Sequence, residues 1–115
     1  MRYICNILSI MTIEEQTLNT VQLDLMGIRL EKNGKVDDAI LIYEQNIKDS
    51  CVPSKHSFDR LLVLYRKSKD YINEKRVCLQ AIKVFADVSQ DVCKYAKRLE
   101  KINFLIGKSK PNGAL

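Results

Sequence analysis

Tryptophan is absent, and 115 residues hold one histidine, two prolines and four glycines. A lone imidazole cannot build a multi-histidine metal site. The four cysteines, Cys5, Cys51, Cys78 and Cys93, form no C-x-x-C pair and stand far along the chain from His56. Zinc sites draw on closely spaced pairs of such ligands, so neither a metal nor any other cofactor is expected. Each cysteine lies among apolar neighbours and reads as a small buried hydrophobe, with a free thiol that suits a reducing cytoplasm. The scarcity of proline and glycine leaves few breaks and long elements between them. Period-two alternation is missing beyond the first ten residues, which removes the case for strands.

Other absences narrow the function. No G-x-G-x-x-G or G-x-x-x-x-G-K-[ST] loop occurs, so nucleotide chemistry has no cradle. His56 stands at a helix start with no Cys or Ser partner at a suitable spacing, and Asp37-Asp38 reads as a pair of helix-start acids. An enzyme is therefore not expected. Met1–Met11 is apolar but too short to cross a bilayer. A signal peptide is the less expected reading: Arg2 supplies one charge, but Asn6 and Ser9 interrupt the core and no A-x-A site follows. Residues 1–11 are left as a segment of undecided structure, either a short extra helix or a frayed start.

What is present is a moderately apolar chain, 46% hydrophobic and 29% charged, of a length that holds one domain. The net charge of +5 is uneven. Residues 1–57 carry six basic and eight acidic side chains, a balance of −2; residues 58–115 carry thirteen and six, a balance of +7. A basic half attracts an acidic protein, a nucleic acid or an acidic membrane, and also keeps a helical surface in solution. No aromatic–basic RNA-binding motif accompanies it.

Shifted by thirty-five residues, the chain matches itself. Met26 falls on Leu61, Leu30 on Tyr65, Lys32 on Lys67, Ile47 on Ile82, and the polar break Asn33-Gly34 on Ser68-Lys69. A self-match near a period of about 34 residues marks stacked helical hairpins. Thr12-Ile13-Glu14-Glu15 is a capping box, which predicts a helix from Ile13 to the Asn33-Gly34 break, with apolar residues on nearly two faces. A second helix is expected over Val36–Asp49. Pro53 then breaks the chain, and Ser54 caps a third helix over Lys55–Lys67 that buries Phe58, Leu61, Leu62, Leu64 and Tyr65. Asp70 is the expected cap of a fourth over Tyr71–Ala86. A fifth, about Gln90 to Ile106, buries Val92, Tyr95, Ala96, Leu99, Ile102 and Ile106 and ends at Gly107. Residues 108–115 are expected to be a disordered tail.

These residues resemble the tetratricopeptide repeat family. In the first unit Leu23 stands at the bulky position, Met26-Gly27 at Leu-Gly, and Ala39 and Tyr43 at the small and aromatic positions; Asn46 departs from the second small position. In the second, Phe58, Leu61, Tyr65 and Ala81 match, whereas Leu62 departs from Gly, Glu74 from Ala and Cys78 from the aromatic. Phe58-Asp59-Arg60-Leu61-Leu62, Tyr65-Arg66-Lys67 and Asp70-Tyr71 are also similar to small bacterial or phage repeat proteins. The resemblance covers about Thr20 to Val88 and implies an all-α fold. Antiparallel hairpins would stack right-handedly over residues 12–107, about two repeats plus a C-terminal capping helix. Gly27 against Ala39 would be the close crossing, and Glu74 would escape to solvent by splaying the second hairpin.

The family's groove would be lined by Val21, Asp24, Ile28, Glu31 and Lys32, then His56, Asp59, Val63, Arg66 and Lys67, and further on Lys94, Arg98 and Lys101. Asp24 and Asp59 stand where one subtype uses Lys, and Ile28 and Val63 where it uses Asn, so that subtype's grip on a C-terminal carboxylate is not expected. The resemblance implies a non-catalytic, cytoplasmic adaptor that binds a peptide or protein, with an acidic ligand favoured by the basic half. The alternative is a helical module that binds nucleic acid through its phosphates. Self-association is a third possibility, since so few units leave apolar stack ends.

Overall fold

The computed structural model describes residues 12–49 and 52–109. Their regular structure is all helical: α1 (Ile13–Lys32), α2 (Val36–Asp49), α3 (Lys55–Lys67), α4 (Tyr71–Val84) and α5 (Ser89–Ser109). The chain divides into two compact units, one ending at Leu61 and the other beginning at Leu62, so the division falls inside α3. In the first unit α1 and α2 pack as a hairpin; in the second, α4 and α5 do.

The ends of the helices follow from their caps. The Thr12 hydroxyl accepts from the Glu15 N–H at 3.1 Å, and the Glu15 carboxylate accepts from the Thr12 N–H at 3.0 Å. That backbone donor holds the Glu15 carboxyl below its usual range. Ser54 Oγ accepts from Ser57 N at 3.1 Å to start α3, and Asp70 accepts from Asn73 N at 3.3 Å to start α4.

The ends of α1 and α3 are one motif written twice. Lys35 N donates to Leu30 O at 2.9 Å and Gly34 N to Glu31 O at 3.0 Å, with Gly34 at φ 76°. Thirty-five residues on, Asp70 N donates to Tyr65 O at 2.9 Å and Lys69 N to Arg66 O at 3.1 Å, with Lys69 at φ 60°. Both are Schellman turns. The self-match of the sequence is thus a match of backbone.

The first hairpin closes over a glycine. A Cβ on Gly27 would collide with the Tyr43 ring, with Cζ at 2.5 Å and Cδ1 at 2.8 Å. Tyr43 itself is fully buried. The atoms nearest to such a Cβ all belong to the flat ring of Tyr43, a neighbour the sequence reading did not name beside Ala39. The equivalent positions in the second unit are Leu62 and Cys78, both buried.

Several expectations are overturned. α1 does not bury two faces: only Thr20 and Gly27 are buried, while Leu18, Val21, Leu25 and Met26 are exposed, because the helix rests on its neighbours along one side. Gly107 does not end α5, which runs through it to Ser109; a glycine with ordinary helical φ removes no hydrogen bond. Lys108 and Ser109 are therefore helical rather than part of a tail. Ala96 and Cys93 are exposed on α5, while Cys78 is buried as expected. The expectations for residues 1–11 and 110–115, and for Cys5 and Cys51, lie outside the described residues.

Candidate functional site

The acidic groove candidates of the first unit are occupied by the fold. Asp24 on α1 accepts from Ser54 Oγ at 2.6 Å, Ser57 Oγ at 2.6 Å and Asn46 Nδ2 at 3.0 Å. Asn46 is fully buried on α2 and also reaches the Thr20 carbonyl at 3.2 Å. The carboxylate therefore ties α1 to α2 and to the start of α3. Asn46, which departs from the small residue of the resembled pattern, supplies one of the three donors to this half-buried carboxylate.

Glu31 accepts from Tyr43 Oη at 2.6 Å and from both Nε and Nη2 of Arg60, at 3.1 and 2.5 Å. The Arg60 hydrogen bond holds the Glu31 carboxyl below its usual range, against the opposing effect of burial. Burial first, and then this acceptor, push the Tyr43 phenol upward. His56 lies edge-on to the Tyr43 ring at 5.7 Å, and its buried Nε2 has no hydrogen-bond partner among the described residues. Ile28, Asp59 and Val63 are half-buried; Val21 and Lys32 are exposed.

In the second unit Glu74 overturns its expectation. It is fully buried on α4, and its carboxylate accepts from Arg66 of α3 and Arg98 of α5. Arg66 Nε lies 2.9 Å from each oxygen, Arg66 Nη2 lies 2.7 Å from one, and Arg98 Nε 3.0 Å from the same one. An unpaired buried carboxylate would cost several kcal/mol, so two guanidiniums take the place of escape to solvent. The pair raises Arg66 above its usual range through that hydrogen bond. Cys78, beside this cluster, donates its thiol hydrogen to Tyr95 O at 3.1 Å, and burial pushes its pKa up, the opposite of an activated nucleophile.

The cations projected into the groove from α3 and α5 therefore divide. Arg66 and Arg98 are brought together but serve Glu74. Lys94 lies 5.0 Å over the Tyr95 ring and Lys101 5.4 Å over Phe104. Lys67 and Lys97 are exposed.

A cleft of about 310 Å³ that the groove projection missed opens between the α3–α4 turn and the end of α5. Tyr71 and Leu105 line it together with Lys69 and Lys108. Neither of these lysines makes an ion pair among the described residues. One signal for it stood in the sequence: the self-match sets Lys69 on Gly34, a lysine at a left-handed position. Lys108 carried none, because it fell beyond the expected end of α5.

No family model, curated protein or solved structure matches the chain. No helix among the described residues is long and apolar enough to cross a membrane.

Proposed function

We propose that the protein is a non-catalytic interaction module of the tetratricopeptide type, and that the Lys69–Lys108 cleft takes an acidic stretch of a partner protein. The observation that carries this reading is the conformation of Lys69. A left-handed lysine costs about 1 kcal/mol that a glycine would avoid, and the equivalent turn in the first unit does use glycine. Strain retained at a cleft mouth supports a role for the side chain there. A lining of two lysines with Tyr71 and Leu105 suits carboxylates set beside an apolar side chain better than a bare phosphate. Arg66 and Arg98, the guanidiniums among the projected groove cations, are engaged by Glu74. The module would act in the cytoplasm, where Cys78 and exposed Cys93 stay as thiols.

The test compares a peptide alternating Glu and Leu with a random-sequence DNA duplex, each titrated into the protein at two salt concentrations. The adaptor reading predicts peptide binding with moderate salt dependence and weak duplex binding. Tight duplex binding with a steep slope, set by the number of phosphates contacted, and no peptide binding would favour the nucleic-acid alternative.

A further inference from the structure

We infer that α1 pairs with α1 of a second copy of this chain, antiparallel, to form a symmetric dimer. This inference is independent of the basic cleft. Leu18, Val21, Leu25 and Ile28 recur at spacings of three, four and three, which is a coiled-coil seam. The first three are exposed, at 56%, 42% and 54%, and Ile28 is half-buried. This seam is turned away from Thr20 and Gly27, the buried residues of α1.

The charges around the seam select the occupant and its direction. One step beyond it in the same register stand Glu14 at the N-terminal end and Lys32 at the C-terminal end, both exposed. An antiparallel pair centred on residue 23 sets Leu18 opposite Ile28 and Val21 opposite Leu25. The same register brings Glu14 of each copy to Lys32 of the other. On the flank away from the core, exposed Glu15 meets exposed Arg29, and Gln22 meets Gln22 across the two-fold axis. A parallel pair would instead set Glu14 against Glu14 and Lys32 against Lys32. The surface is thus complementary to itself under a two-fold rotation, as an isologous interface must be. The helix is already held by the α1–α2 hairpin, so pairing carries no cost of helix formation.

Sedimentation equilibrium of the full chain, under reducing conditions and over a range of concentrations, tests this. The expected mass approaches twice 13.3 kDa. Leu25→Asp, at an exposed position, should keep the helical spectrum and melting of the folded chain. It should weaken dimerisation on the order of a hundredfold, since each copy would bury a carboxylate in the seam. Glu14→Lys alone should weaken the dimer, as should Lys32→Glu alone. The double swap should restore it, and a mixture of the two single variants should form the heterodimer in preference to either homodimer. A monomer at every concentration would leave the seam to another protein or to residues 1–11 and would overturn the inference. A dimer indifferent to Leu25→Asp would place the interface elsewhere, and one indifferent to Glu14→Lys would be parallel; either result also overturns it.

Discussion

Gly27 has less room than any side chain could use, because the Tyr43 ring lies against its backbone. Replacement by alanine improves helix propensity by about 1 kcal/mol. It also forces Tyr43 to move, and that ring is held by Glu31 at 2.6 Å. Overpacking of this kind costs about 1–3 kcal/mol, so Gly27→Ala should lower stability in denaturant melts. A stabilised Gly27→Ala would mean that the ring yields freely. The need for a glycine was legible in the sequence, since a mid-helix glycine calls for a close approach. Its neighbour was not, because a flat aromatic and a small residue both satisfy that condition. Glu31 gives a pH signature. Its folded pKa is depressed by Arg60, so the stabilisation is complete above the unfolded carboxylate value of about 4.3 and is lost as pH falls through the folded value. Arg60→Gln should therefore be destabilising at pH 7, and its deficit against wild type should shrink in thermal melts below about pH 4. A deficit independent of pH would mean that Arg60 acts through packing alone.

Glu74 joins α3, α4 and α5 at one buried point, and this sets which changes the helices tolerate. The two arginine side chains keep 30% and 26% of their surface exposed, whereas the carboxylate side chain has none. A guanidinium that loses its partner can turn to water; the carboxylate cannot. Arg66→Met with Arg98→Met should then cost about 3–5 kcal/mol, and Glu74→Met, which fills the same space without charge, distinctly less. Equal losses, read from urea midpoints, would contradict the asymmetry. Arg98→Glu is likewise not a neutral surface change, since it would set a second carboxylate against the first. The starts of α1, α3 and α4 and the end of α1 were legible because caps are local: Thr12, Gly34, Ser54 and Asp70 each act within a few residues of themselves; the ends of α4 and α5, which lack such a signal, were not. The fate of Glu74 was not, since its partners stand 8 and 24 positions away.

The charge imbalance of the whole chain, −2 before residue 58 and +7 from there on, is unevenly available for binding. The fold spends part of it on Glu74 and lays part over aromatic rings, and it leaves Lys69 and Lys108 beside a cleft. Composition suggested the sign of the proposed partner, but helix α5 had to be followed past Gly107 before Lys108 could be placed. Lys69→Gly tests the functional proposal most directly, because it drives stability and binding in opposite directions. Removing a left-handed side chain should raise the melting temperature, by an amount corresponding to about 1 kcal/mol. Removing the ammonium group should at the same time weaken binding of the Glu-Leu peptide severalfold, and Lys108→Gln should weaken it similarly. A Lys69→Gly protein that is more stable and binds the peptide as tightly as wild type would contradict the account.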